Sequence, residues 1–348
     1  MKLILYLFSK RYKMRKQIIA VKLKLPFSTL IEKYDYYIEG KSTKILSNLT
    51  VESALFISDQ LLLIEKKRES LQRHSDLFIY NIENKELKHV FERISLFTLL
   101  PDKRIIVIYE DIFVKIYDLT VFQKEIKLSG YIREILILPN GKVILYGRKI
   151  FIWDLQDEII QLGDDEYIRS ICLFEDKLVT GSQTHQIKIW NLQTLTCETI
   201  LEGHQETVDN LLVSDKSIIS TSLDGQMRIW RDGVCQKTIK SFIDKVLVIE
   251  DKIITSFECE KVSINMKVWS VKNGSFLGIL KGHNTYISVI EVLPNNQLIS
   301  GCYSFFKIWD LETLKCVKTI KNSSSPSFIY PFKDVFLTND RDGLVIYQ

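Results

Sequence analysis

From residue 43 onward, apolar and polar positions recur in one order. A short alternating run comes first. After a turn follows an apolar doublet or triplet, such as Leu61-Leu62-Leu63, Ile105-Ile106-Val107 or Ile218-Ile219. A polar turn leads to a third run that closes on an aromatic, and a fourth, more polar run completes the unit. Alternation marks strands with one face buried, and unbroken apolar doublets mark strands buried on both faces. Residues 201–230 show the pattern most fully. They hold Gly203-His204, an alternating run, a hydroxyl run at 220–222, a turn at Asp224-Gly225 and a strand ending in Trp230.

The third run gives the period. Lys188-Ile189-Trp190, Arg228-Ile229-Trp230, Lys267-Val268-Trp269 and Lys307-Ile308-Trp309 share one triplet of cation, aliphatic and Trp, and Ile152-Trp153 joins them. All five tryptophans of the chain sit at this position. Tyrosine replaces Trp at 80, 117 and 347, so the aromatics stand at 80, 117, 153, 190, 230, 269, 309 and 347. The gaps are 37, 36, 37, 40, 39, 40 and 38 residues. A period of this size built from short strands predicts an all-β propeller of four-stranded blades.

The chain resembles the WD-repeat β-propellers. The residues that carry the resemblance are Gly-His at 203–204 and 282–283, Asp-Gly at 224–225 and Trp-Asp at 153–154 and 309–310. Eight aromatics predict eight blades; seven, the commoner count in the family, is the alternative. The last unit, from about 326 to 347, lacks an outer strand. Thr43 to Leu46 matches one, as comparison with Lys-Thr-Ile at 237–239 and 318–320 shows. The ring is therefore expected to close by pairing an N-terminal strand with the C-terminal blade, which removes an exposed edge.

The resemblance also implies roles. In the family a hydrogen-bonded chain runs from a turn Asp through His and Ser/Thr to the Trp indole. Here His204, Asp224 and Trp230 form the complete set, with Ser220, Thr221 or Ser222 as the hydroxyl. His283 and Trp309 form a partial set, with Tyr303 six residues before the Trp, where the acid is expected. Most blades are therefore expected to rely on apolar packing instead. The residue three after the Gly-His histidine lines the channel entrance in this family. That position is Thr207 and Tyr286 here, and strand alignment places Tyr131, Tyr167 and Arg93 with them. Tyrosine and arginine are enriched at binding hot spots. The implied function is a non-catalytic scaffold that binds peptides or protein partners on this loop face. The connection from Glu65 to Asp76 between the second and third runs (the b–c turn) and an insertion near Glu258 to Lys261 are further candidate loops.

Composition narrows this further. With 46% hydrophobic residues over 348 positions, a continuous core is available. A net charge of +4 is too small to argue for nucleic acid. Six cysteines without a Cys-x-x-Cys pair read as core-filling thiols in a reducing, cytoplasmic setting, and no metal or other cofactor is expected. No nucleophile–base pair, phosphate loop or acidic metal cluster is visible, so an enzyme is not expected. Residues 1–42 read as a basic N-terminal extension and 43–348 as the propeller. Residues 1–31 carry eight Lys or Arg and no acid. That fits a mitochondrial presequence, a basic tail, or synthesis beginning at Met14 rather than Met1. Leu3 to Phe8 is too short to span a bilayer. Leu25-Pro26 with Leu30, Ile31 and Tyr34 weakly resembles the opening of an F-box, so the alternative function is a substrate receptor of a ubiquitin ligase.

Overall fold

The computed structural model describes residues 43–347 apart from 48–50, 57–60, 68–73, 82–83, 85, 119–120, 164–165, 215, 242, 257–264, 294, 323, 333–334 and 341–342. The readings placed on residues 1–42, on most of the 65–76 connection and on the 258–261 insertion lie outside the described residues.

Every regular element among the described residues is a β-strand. β1 (Thr43–Ser47) stands apart in sequence from the sheet it joins. A seven-stranded sheet follows in chain order: β2 (Val51–Phe56), β3 (Leu61–Lys67), β4 (Ser75–Asn81), β5 (Glu86–Leu99), β6 (Arg104–Tyr109), β7 (Phe113–Asp118) and β8 (Val121–Lys127). Five four-stranded antiparallel sheets come next, each built from consecutive strands. They are β9 (Ile132–Ile137) to β12 (Ile159–Leu162), β13 (Ile168–Phe174) to β16 (Thr196–Leu201), and β17 (Val208–Ser214) to β20 (Val234–Lys240). After them come β21 (Lys245–Ile249) to β24 (Phe276–Leu280) and β25 (Ile287–Val292) to β28 (Lys315–Lys321). The inner pairs of these five sheets are β10 (Val143–Gly147) and β11 (Ile150–Trp153), β14 (Lys177–Ser182) and β15 (Ile187–Asn191), β18 (Ser217–Ser222) and β19 (Gln226–Arg231), β22 (Lys252–Ser256) and β23 (Met266–Ser270), and β26 (Leu298–Cys302) and β27 (Phe305–Asp310). The last sheet has the order β1-β31-β30-β29, with β29 (Ile329–Phe332), β30 (Val335–Asp340) and β31 (Gly343–Tyr347).

One connection departs from the repeat as read from the sequence. The outer strand of the first unit and the inner strand of the second are a single strand, β5, fourteen residues long. It pairs with β4 through its first half and with β6 through its second. The sequence Glu86 to Leu99 contains no Gly or Pro to break the extended chain, so two units share one sheet.

Burial follows position within each sheet. β10 and β26 are buried at every residue, as befits strands covered on both faces. The fourth strands β20 and β28 are mostly exposed and rich in lysine. First strands of successive sheets lie side by side from β13 through β17, β21 and β25 to β29, and β2 lies beside β30. Between sheets the core is largely aliphatic, with large aromatic rings set among the aliphatics. Trp153, for example, packs with Ile106, Ile116 and Leu145.

In three units the residue after the Trp caps the turn that follows. Asp310 Oδ1 accepts the Glu312 and Thr313 N–H groups at 2.8 and 3.0 Å. Asn191 Oδ1 does the same for Gln193 and Thr194 at 2.8 and 3.1 Å. Asp154 Oδ1 accepts from Gln156 and Glu158 at 2.8 and 3.2 Å. Such side-chain caps fix the turn into the fourth strand. The N–H donors hold the Asp310 carboxyl below the usual carboxylate range. These turns need a left-handed residue, and leucine fills it, with φ of 69° at Leu155, 60° at Leu195 and 55° at Leu314.

Candidate functional site

Two assemblies come from the repeat: a buried polar network inside the sheets, and a row of residues at the entrances of the first strands. In the β17–β20 sheet the Trp230 indole donates to Ser220 Oγ at 2.8 Å. Ser220 Oγ lies 2.8 Å from His204 Nε2, and His204 Nδ1 lies 2.9 Å from Asp224 Oδ2. An ionised carboxylate only accepts, so Nδ1 carries the proton and Nε2 accepts from the serine. Asp224 also accepts the Gln205 and Gln226 N–H groups at 3.0 and 2.9 Å. Ser220, one of three hydroxyls compatible with the sequence, is the link. Burial pushes the His204 imidazole below its ordinary value, with Asp224 opposing. Burial would raise the Asp224 carboxyl, but the Gln205 N–H, His204 and the Gln226 N–H outweigh it and hold it low.

The β25–β28 sheet repeats half of this. Trp309 donates to Ser300 Oγ at 2.7 Å, and Ser300 Oγ lies 2.6 Å from His283 Nε2. His283 Nδ1 is buried without a hydrogen-bond partner. Burial, with Lys307 adding to it, pushes this imidazole down to about 4. Tyr303 does not occupy the acid's place. Indole and hydroxyl are ten residues apart in the complete unit but nine here. Strand pairing shows why: Ser222 and Cys302 are equivalent, and so are Gln226 and Phe305. Tyr303-Ser304 therefore replaces Leu223-Asp224-Gly225, and the shorter turn omits the acid's position. Tyr303 stands 50% exposed.

The expectation that most units rely on apolar packing instead is corrected for two of them. Trp190 donates to Thr180 Oγ1 and Trp269 to Thr255 Oγ1, both at 2.9 Å, without any histidine. A buried indole N–H needs an acceptor wherever it occurs, and the strand hydroxyl is the minimal one. Only Trp153 turns elsewhere among these rings, to the Gln156 carbonyl at 3.3 Å. The cation of the triplet lies over the Trp ring at Lys188, Arg228 and Lys267, 5.8 to 5.9 Å from the centroid.

The five entrance residues occupy one recurring position. Tyr131, Tyr167, Thr207 and Tyr286 immediately precede β9, β13, β17 and β25, and Arg93 precedes Ile94 within β5. The next residue in each case is a buried aliphatic: Ile132, Ile168, Val208, Ile287 and Ile94. That anchor leaves the preceding side chain at the rim. Backbone bonds tie the rim to the b–c turns. Arg148 N–H donates to the Tyr131 carbonyl at 3.0 Å, Gln183 to Tyr167 at 3.2 Å, and Leu223 to Thr207 at 3.0 Å. Tyr167 N–H in turn reaches the Arg148 carbonyl of the preceding sheet at 3.3 Å. Arg93, at φ 53°, donates its N–H to Asp76 Oδ1 at 3.0 Å. Exposure is uneven: Arg93 is exposed, Tyr167 is 48% exposed, and Tyr131, Thr207 and Tyr286 are half-buried.

Two cations join the rim that the repeat did not single out. The Arg148 guanidinium lies 5.6 Å from the Tyr167 ring centroid, and Lys245 Nζ lies 5.7 Å from that of Tyr286. Each comes from the preceding sheet, so only knowledge of which units adjoin would have found them. Arg169 and Asp209, two residues past Tyr167 and Thr207, pair across adjacent sheets at 3.5 Å. Among the described residues no group of three or more His, Cys, Asp or Glu is placed to hold a metal. The core-filling reading of the cysteines holds for Cys302, which is buried, and fails for Cys197, which is exposed. Cys197, Cys235 and Cys316 sit opposite Trp190, Trp230 and Trp309 on outer strands.

Comparison with known proteins agrees with this geometry. The model of the family described as WD40: WD domain, G-beta repeat matches residues 195–231 and 274–310. The chain is 26% identical over 179 residues to the Periodic tryptophan protein 2 homolog of Caenorhabditis elegans, covering 47% of this chain and 19% of that protein. It is 24% identical over 203 residues to the Ribosome biogenesis protein YTM1 of Saccharomyces cerevisiae, covering 57% of this chain and 41% of that one. The chain thus matches less than half the length of either relative. Among solved structures, the WD40 beta propeller domain of Doa1 superposes with a TM-score of 0.54 at 14% identity, covering 89% of this chain and 97% of that one. No helix among the described residues is long and apolar enough to cross a membrane.

Proposed function

We propose that this chain, whose repeats at residues 195–231 and 274–310 match the WD-repeat family, is a non-catalytic scaffold that holds protein partners on the face built by its b–c turns and first-strand entrances. The observation that carries this reading is the recurrence of Arg93, Tyr131, Tyr167, Thr207 and Tyr286 at one position in five units. A rigid frame of strands sets each of these side chains beside a buried anchor. Tyrosine offers large contact area at low entropic cost, and arginine binds carboxylates bidentately. The occupant proposed is an extended, partly acidic segment of a cytoplasmic protein.

The frame we propose is an eight-bladed ring. The seven-stranded sheet counts as two blades sharing β5, and β1 supplies the outer strand of the last blade. Pairing of Thr43 with Ile346 and of Ser47 with Gly343 supports that closure, as does the position of β2 beside β30. Closure of this kind ties the two ends of the domain together and keeps the rim positions in register.

Changing Tyr131 and Tyr286 together to Ala tests the binding face. Partners recovered with the parent chain by affinity purification should be lost from the double variant, while its melting temperature stays close to the parent's. Full recovery by a folded double variant would sink the reading.

A further inference from the structure

Outer strands are where this fold presents a bare edge to water, and chains blunt such edges with charge. β8 carries Lys124 and Lys127, and β20 and β28 carry five lysines between them. β24, Phe-Leu-Gly-Ile-Leu, is the one outer strand among the described residues without a polar side chain. Phe276 is 52% and Leu277 44% exposed. Phe276 is fixed edge-on to Trp269, with centroids 5.3 Å apart. Leu277 is the extra residue of the bulge opposite Trp269, which turns it outward.

The charge on the strands around β24 is of one sign, and the turn acids Asp251 and Glu312 are taken up by Lys252 at 3.1 and 2.8 Å. β20, β24 and β28 contain no carboxylate. Lys237, Lys240, Lys315 and Lys321 on the flanking strands have no ion-pair partner among the described residues, and neither do Lys272 and Lys281 at the two ends of β24. On the β7–β8 wall two lysines are matched by acids: Lys124 meets Asp157 at 2.6 Å and Lys115 meets Glu125 at 2.8 Å. The neighbouring sheets also touch this one near β24. Gly274 lies against the Lys237 side chain and Gly278 against that of Leu314, so neighbouring walls close on both sides of β24.

We infer that the outer wall of the β21–β24 sheet is a second docking surface, separate from the loop face, and that it takes an extended segment of a partner protein in which acidic and apolar residues alternate. Apolar side chains of that segment seat on Phe276 and Leu277, and its carboxylates meet the unpaired lysines. An anionic membrane fits less well. Only two large apolar side chains project from β24, and the free backbone groups of an edge strand need partners that lipid tails lack. Nucleic acid fits less well because these three strands carry no arginine and because Phe276 and Leu277 expose apolar surface at their centre.

The test uses the full chain and a labelled synthetic peptide of about twelve residues alternating Glu with Leu, beside a counterpart with Lys for Glu. Fluorescence anisotropy should show binding of the glutamate peptide and none of the lysine peptide. Leu277→Lys should weaken it about tenfold, and so should Lys272→Glu with Lys281→Glu, a pair of exposed sites whose reversal leaves the core untouched. Hydrogen exchange at β24 should slow when the peptide is present. Tyr131→Ala with Tyr286→Ala should leave this binding unchanged, which separates it from the loop face. Equal binding of both peptides, or no effect of either set of β24 variants, would overturn the inference. It would also be overturned by tighter binding to phosphatidylserine vesicles or to a DNA duplex than to the glutamate peptide, or by a dimer of the chain that Leu277→Lys abolishes.

Discussion

Replacing Asp224 by Ala removes one side chain that organises three donors. Asp224 Oδ2 accepts from His204 Nδ1 and the Gln205 N–H, and Oδ1 accepts from the Gln226 N–H, all at 2.9 to 3.0 Å. The side chains of His204 and Asp224 are 1% and 4% exposed, so water does not reach Nδ1 in their place. An orphaned buried donor costs about 1–3 kcal/mol. The two backbone donors lie in a more open turn and recover water, adding roughly 0.5 kcal/mol each. The expected total is about 2–4 kcal/mol. Tyr303→Ala is the matched control. It removes a half-exposed ring from the equivalent turn, where no acid is present, and should cost under about 1 kcal/mol. Urea unfolding at neutral pH, with the slopes compared to verify that the transition is unchanged, reads both numbers. If Asp224→Ala costs no more than Tyr303→Ala, the hydrogen-bonded chain does not hold its sheet together.

The pH dependence should centre on His283. Its folded value of about 4 lies below the ordinary imidazole value, so the unfolded chain binds the extra proton between them. Stability from this site is therefore present above about pH 6.5 and falls by about 3 kcal/mol as pH drops to about 4, a loss that His283→Gln should remove from the unfolding curve over that window. Deleting residues 1–47 should strip β1 from β31 and lower the melting temperature. An unchanged melt would mean that β1 contributes nothing to closing the last sheet.

The repeat was legible because tryptophan is rare and each unit buries one ring at a fixed place. What escaped was everything that depends on counting between strands rather than along the aromatics. The turn at Tyr303-Ser304 is one residue short, but a count back from Trp309 hides the deletion, because the tyrosine falls where the aspartate would. β5 escaped because a strand that serves two units carries no turn residue to announce the join. The acceptors Thr180 and Thr255 escaped because a hydroxyl in an apolar strand looks unremarkable until the indole is seen 2.9 Å away.

These details point to a division of labour within the repeat. The aromatic, its hydroxyl acceptor and the capping Asp or Asn recur in unit after unit, because each satisfies a buried or turn-bound polar group that the fold creates wherever it forms. The histidine and the turn acid recur far less, so they add stability without being required for the strand layout. That leaves the positions outside this minimal set free to vary. They vary in two directions: toward tyrosine and arginine at the first-strand entrances, and toward unpaired lysine around an uncharged edge at β24. Neither change is needed to bury an indole or close a turn. Residues that the fold does not require, held rigidly by residues that it does, are where a repeat scaffold acquires selectivity for its partners.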